Sequence, residues 1–259
     1  MAFKGQKSKT NTHMMKMTMA RMGHALLGLA ALATMLASCE SDHEAWYSNT
    51  ITALVTVRPT EGGSFRMQLN DDTELLPSNL SESPFGAKEV RAIVNYTTEG
   101  TGERVVRSVK VNWMDSIRTK LPVPYLEGQN DRLYGNDPIE IVRDWVTVAE
   151  DGYLTLRIRT RWGERSVKHQ VNLLTGMNAD DAYDLVLRHN ALGDVRGNMG
   201  DAMIAFNLNQ LPRGDKQEVR VRLHWTSFGG PKQADFQLKL HPTTSTQAVE
   251  RMPLNSLVK

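Results

Sequence analysis

The 259-residue chain has a single cysteine, Cys39, which excludes a disulfide framework, and 31 Lys plus Arg against 29 Asp plus Glu, a formal net charge of +2. Five of the basic residues, Lys4, Lys7, Lys9, Lys16 and Arg21, precede Cys39 with no acid among them, so the chain from Cys39 onward carries 26 basic and 29 acidic side chains, near −3. Nucleic-acid recognition needs a clustered positive field, and this balance argues against such a partner.

An apolar run from Ala25 to Ala37 follows the basic residues and is too short to span a bilayer. Basic, apolar and small-residue segments in that order form a secretory signal. A core helix would alternate polar and apolar faces, whereas this run is apolar all round and stops abruptly at CESDHE. Leu36, Ala37, Ser38 and Cys39 resemble the lipobox of bacterial lipoproteins, in which the cysteine sulfur takes a diacylglycerol and the amine freed by cleavage takes a third acyl chain. Residues 1–38 are therefore expected to be a lipoprotein signal peptide, with Cys39 the lipidated residue. Two or more acyl chains anchor stably at about 0.8 kcal/mol per buried methylene. Met14, Met15, Met17 and Met19 each offer a later start and a shorter signal.

Residues 39–50 read as an acidic tether, with Glu40, Asp42 and Glu44 beside the lipid. The run is either an ordinary solvated spacer or, as it resembles, the acidic export signal of Bacteroidetes surface lipoproteins. Trp46 and Tyr47 suit the membrane interface or packing on the first domain. The expected location is the outer membrane, at the cell surface or on the periplasmic face.

About 220 residues remain, enough for two small domains or one large one. From Ile51 come five short runs: ITALVTV, SFRMQL, TELL, EVRAIVNYT and VVRSVKVNWMDSI. Phe65, Met67 and Leu69 share one face by period two, as do Val90, Ala92, Val94 and Tyr96, and likewise Val109, Val111 and Trp113. Turn-forming clusters stand at Pro59–Gly63 and Asn70–Asp72. Five strands in this rhythm predict a small OB-like barrel over residues 51–120. Patterning lapses from 121 to 138, which reads as a linker. Beyond it, seven runs separated by polar turns, IEIVRDWVTVA, YLTLRIRTRW, SVKHQVNLL, AYDLVLRHN, AMIAFNL, QEVRVRLHW and ADFQLKL, predict a β-sandwich over 139–240. Residues 241–259 read as a flexible tail. The predicted fold class is all-β.

The runs NTITALVTVRP, SFRMQLNDDTELLP, PFGAKEVRAIVNYT, VKVNWMDSI, GNDPIEIVRDWVTVAEDGYLTLRIRTRWG and HQVNLLTG resemble the NigD-like lipoproteins of Bacteroides and Prevotella, from the lipobox to about Leu240. Gly135 to Gly176 carries the most specific part. The resemblance implies an N-terminal OB-type domain and a C-terminal β-sandwich. It implies no activity, substrate or catalytic residue set, and the family name itself comes from a bacteriocin gene cluster.

Catalytic chemistry finds little support. Gly63, Ser64 and Phe65 belong to a hairpin rather than a nucleophile elbow. His43, His169, His189, His224 and His241 are scattered, with no pair at helical ligand spacing. The loop from His189 to Asp201 offers oxygens on Asn190, Asp194, Asn198 and Asp201, the ligand type calcium prefers, but without the spacing of an EF-hand loop. Like Asn70, Asp71 and Asp72, these read as turn residues. Trp113, Trp145, Trp162 and Trp225 lie in or at the ends of strand runs and are expected to fill the core; exposed side by side, two of them would stack on a sugar ring. Asp115, Ser116 and Ile117 resemble the O-glycosylation acceptor of exported Bacteroidetes proteins, with Ser116 the modified residue.

The expected protein is a non-enzymatic, lipid-anchored binding module without catalytic residues, metal or cofactor, whose partner besides the membrane is a glycan or an envelope protein. The alternative is a bacteriocin-associated accessory or immunity-type lipoprotein. Cys39→Ala is expected to move the protein from the membrane pellet to the soluble fraction, as checked by cell fractionation.

Overall fold

The computed structural model describes residues 50–99 and 105–241. The expected signal peptide, Cys39, His43, most of the expected tether and the expected tail beyond residue 241 lie outside the described residues. Among those described, no helix is long and apolar enough to cross a membrane.

The first five strands are β1 (Thr50–Pro59), β2 (Phe65–Gln68), β3 (Glu74–Pro77), β4 (Val90–Thr98) and β5 (Val106–Ser116). They close a barrel in the order β1-β2-β3-β5-β4, in which β3 and β5 run parallel and the other pairs antiparallel. Alternation fills it: Val55 and Val57, Phe65 and Met67, Leu75, Ala92, Val94 and Tyr96, and Val109 and Val111 form one buried cluster, plugged by Leu80 and Phe85 from the β3–β4 connection. The turns follow their residues. Gly62 and Gly63 both take positive φ between β1 and β2, and Asn70 Oδ1 accepts the Asp72 and Thr73 N–H groups between β2 and β3.

One expectation fails inside β5. Asn95 faces Trp113 but Tyr96 faces Val111, so Asn112 is an extra residue in the ladder. This β-bulge reverses the alternation beyond it. Val109 and Val111 point inward, Met114 packs against the barrel core, and Trp113 is turned outward at 48% exposure. Asn112 holds the bulge by donating its side-chain amide to Asn95 Oδ1 and Thr97 Oγ1.

The remainder is a sandwich of two sheets. One comprises β6 (Thr119–Lys120), β13 (Asn198–Asn207), β10 (Tyr153–Trp162) and β8 (Glu140–Ile141), with β9 (Val148–Glu150) also on β10. The other runs β15 (Gly230–Lys239), β14 (Glu218–Ser227), β12 (Asp184–Asn190), β11 (Gln170–Thr175) and β7 (Val123–Pro124). Leu154, Leu156, Ile158, Ile204 and Phe206 from the first sheet meet Leu173, Leu185, Leu187, Val221 and Leu223 from the second. The segment 121–138, expected as a linker, contributes β7 and a one-turn helix α1 (Asn130–Tyr134) to this domain. The run IEIVRDWVTVA is two strands rather than one. Asp144 Oδ1 accepts the Val146 N–H and Thr147 Oγ1 donates to the Val142 carbonyl, folding a turn that carries Trp145 out to 55% exposure instead of into the core.

Barrel and sandwich share a buried seam. Leu54, Ile117, Val146 and Ala205 form its apolar part, with Ile93 and Val148 against them. Its polar part centres on Arg91 of β4, fully buried, which donates to Thr56 Oγ1 of the barrel at 3.1 Å, to Thr155 Oγ1 of the sandwich at 3.3 Å and to the Glu150 carboxylate. The guanidinium also lies 5.9 Å from the centre of the Tyr153 ring. The β9–β10 hairpin turns at Asp151 and Gly152, both with positive φ, as a two-residue Asp-Gly turn requires. That turn brings the Asp151 carboxylate to Arg58 of β1 at 2.7 Å and to His241, while the Tyr153 hydroxyl donates to Glu89 at 2.5 Å. Burial pushes the Glu150 carboxyl above its ordinary range and outweighs Arg91. For Asp151 burial loses to His241 and Arg58, and the carboxyl is held low. Arg91→Met leaves Glu150 without its cation, and is expected to lower stability by about 3 kcal/mol in urea unfolding, with Glu150→Leu recovering part of the loss in the double variant.

Candidate functional site

The histidines that look scattered in sequence are partly gathered by the sandwich. Pairing of β11 with β12 brings His169 beside His189, Nδ1 to Nε2 at 3.0 Å, although they stand 20 residues apart. His169 Nε2 lies 3.3 Å from Asp194 Oδ2, and its ring stacks on Trp162 at 4.2 Å between centroids. Asp194 in turn accepts the backbone N–H groups of Gly163 and Glu164, each at 3.0 Å. Those N–H groups, ahead of His169, hold its carboxyl below the ordinary range. Burial, followed by the neighbouring His169, holds the His189 imidazole below its usual value. The side chains of His169 and Asp194 are only 1% and 6% exposed. A substrate has no approach to this chain of groups, so it ties the β10–β11 loop to β12 rather than performing chemistry.

The remaining candidates are separated by the fold. Asn190 caps its own turn at the Leu192 N–H, Asp194 faces inward, and Asp201 forks onto Arg157 and Arg159, which with burial opposing bring its carboxyl down to about 2. Asn198 opens β13. The four oxygen-bearing side chains of the 189–201 loop therefore serve turns and pairings, as their residue types suggest, and no group of three or more His, Cys, Asp or Glu side chains able to hold a metal occurs among the described residues. Asp71 does more than turn a hairpin: its Oδ1 accepts the Asp151 N–H across the seam. His224 pairs with Asp184 at 2.7 Å, and His241 belongs to the seam. Ser116 is exposed at the end of β5, opposite Ala92.

Of the tryptophans expected in the core, Trp225 is buried there and Trp162 is half-buried on His169. Trp113 and Trp145 stand exposed, each within a few residues of a seam residue. Trp113 is two residues from Asp115, which pairs with the seam residue Ile93, and Trp145 directly precedes the seam residue Val146. The bulge and the Asp144–Thr147 turn, the two places where strand alternation breaks, thus present an aromatic side chain from each domain. An Asn beside an alternating run is the sole sequence signal for the first, and the Asp-Trp dipeptide for the second.

The comparisons with known proteins agree with this architecture. The NigD-like N-terminal OB domain matches residues 54–117, and the NigD-like C-terminal β-sandwich domain matches residues 122–238. The chain belongs to the NigD-like family. A solved protein of Parabacteroides distasonis described as toxin-related is 28% identical, with a TM-score of 0.63 over 74% of this chain and 94% of its own. A NigD-like immunity protein of Bacteroides caccae is 17% identical, with a TM-score of 0.55 over 73% of this chain and 96% of its own. A protein of Bacteroides fragilis described as a lipoprotein is 12% identical, with a TM-score of 0.53 over 75% and 99%. The last two share the fold. No curated protein matches the chain.

In this NigD-like protein, the His189 imidazole has a folded pKa below the unfolded value of 6.5. The unfolded state therefore takes up the proton first on acidification, and stability present above pH 6.5 is lost as pH falls. His189→Phe is expected to flatten that part of the stability curve, measured by thermal melts from about pH 8 to about pH 5.

Proposed function

We propose that this NigD-like protein is a non-catalytic binding module, anchored at the outer membrane through Cys39 and taking a glycan on the rim formed by Trp113 and Trp145. The carrying observation is the exposure of both rings, one on each domain, at 48% and 55%. Indole faces left in water by a β-bulge and a side-chain-capped turn are ready to stack on sugar rings, and OB barrels accept oligosaccharides on one face. The lipobox at Leu36–Cys39 and the likeness to a protein described as a lipoprotein support the anchor. Ser116, exposed three residues beyond Trp113, suits the proposed O-glycan.

A second reading, an accessory or immunity-type factor associated with a bacteriocin, draws on the 28% identical relative described as toxin-related. One experiment separates the two. A photo-crosslinking amino acid placed at Trp113 and at Trp145 in cells is expected to yield a glycan adduct from both positions and none from the exposed Gln237 on β15. A protein adduct of one defined mass favours the second reading, and no adduct from either position overturns the rim as a binding surface.

A further inference from the structure

The barrel keeps an uncharged polar row beside Trp113. Register sets Thr52 of β1 opposite Asn95 of β4, and Asn95 opposite Trp113 of β5, so the three side chains lie side by side on the outward face of three strands, about 10 Å across in all. One row further on, the same face carries Leu54 and Ile93 into the seam. One row back stands Thr97, opposite Thr50 and Lys110. The sandwich therefore covers one end of this face, while Thr52, Asn112 and Trp113 remain exposed.

Side-chain amides join the row. Asn95 donates to Thr52 Oγ1 at 2.9 Å, and Asn112 donates to Asn95 Oδ1 at 2.9 Å and to Thr97 Oγ1 at 3.2 Å. The bulge accounts for the Asn112 contacts. The Asn95 bond crosses instead to β1, whose pairing with β4 is unbroken from Thr50 to Val57 and needs no such clasp. In these three bonds Thr52 and Thr97 are acceptors and keep their own O–H hydrogens, while Asn112 spends both amide hydrogens and keeps Oδ1 as an acceptor. Asparagine is depleted in strands, and here two stand together beside an exposed indole. The sandwich sheets dress their outward faces differently, with the ionic pairs of Arg157 and Arg159 on Asp201 and of Arg220 on Asp235.

We propose that Thr52, Asn95, Asn112 and Thr97 form, with Trp113, a subsite for a neutral pyranose of a glycan, which rests on the reading of Trp113 as a sugar platform and specifies the sugar class it takes. A pyranose offers a C–H face to an indole and a ring of hydroxyls that both donate and accept. The row answers with hydroxyl donors at Thr52 and Thr97 and an acceptor at Asn112. Its members are already locked by their own hydrogen bonds, so little side-chain freedom is lost on binding. The charged neighbours are of opposite sign, Lys110 opposite Thr97 and Asp115 opposite Ile93, and favour neither an acidic nor a basic sugar.

The test uses the full chain from Cys39 onward with ¹⁵N-labelled tryptophan, the indole signals being assigned from Trp113→Phe and Trp145→Phe. Maltohexaose, cellohexaose, mannohexaose and chitotetraose are titrated separately, with hexagalacturonate as the charged comparison. The expected result is a saturable shift of the Trp113 indole N–H with at least one neutral probe, and a weaker response to hexagalacturonate. Thr52→Val and Thr97→Val, which keep the shape and remove one hydroxyl, are each expected to weaken binding by about fivefold, the loss of one neutral hydrogen bond. Lys110→Gln and Asp115→Asn are expected to change it by less than about twofold. Tightest binding to hexagalacturonate, with its loss in Lys110→Gln, overturns the neutral class. Full affinity in a folded Thr52→Val/Thr97→Val double variant, or a probe that shifts the Trp145 signal but not that of Trp113, overturns the subsite while the glycan reading stands. A panel that moves neither indole removes both.

Discussion

A single guanidinium organises the relation between the two domains. Arg91 leaves the barrel through its outer face, is wholly removed from water, and ends among groups contributed by both domains. Burying an arginine is tolerable only when its N–H groups are met and its charge is balanced. Thr56 meets one side from within the barrel, whereas Thr155 and Glu150 belong to the sandwich, so the barrel's own surface is incomplete without its neighbour. The apolar seam of Leu54, Ile117, Val146 and Ala205 removes water around this contact, and the Asp151 turn adds a second ionic contact to Arg58. Barrel and sandwich therefore behave as one compact unit.

Alternation made the strands legible, and the limits of alternation explain what was not. The five barrel strands and six of the seven sandwich runs stand where period-two patterning places them, because each strand has one face on a core. Trp113 was misplaced because a bulge is a property of two strands: its signature, Asn112 reaching Asn95 and Thr97 across the ladder, is absent from β5 read alone. Trp145 was misplaced because valines on either side read as strand, while the side chains of Asp144 and Thr147 capture the backbone and bend it. Arg91 looks like an ordinary solvent-face residue between Val90 and Ala92; nothing in one sequence says that another domain covers it. His169 and His189 meet through strand pairing, which sequence spacing does not encode.

The functional picture follows the same division. The proposed tether rests on local motifs, and the family on matched domains. The surface proposed to face a partner arises where regular structure fails, at the bulge and at the Asp144–Thr147 turn. Each is a defect in a ladder, stabilised by side-chain hydrogen bonds rather than by the core, and each presents groups that a regular sheet would have hidden or matched.

The unpaired Asn112 sets a parity in β5. Strand alternation has only two phases, and one inserted residue switches everything beyond it from one to the other. A strand that kept Asn112 but ran on without the bulge would turn the Trp113 position into the barrel and send the Met114 position to the surface, whereas deleting Asn112 leaves Trp113 opposite Asn95 and outward. The outward tryptophan is therefore a matter of parity, fixed by which residue of β5 is left unpaired and not by the side chain at position 113.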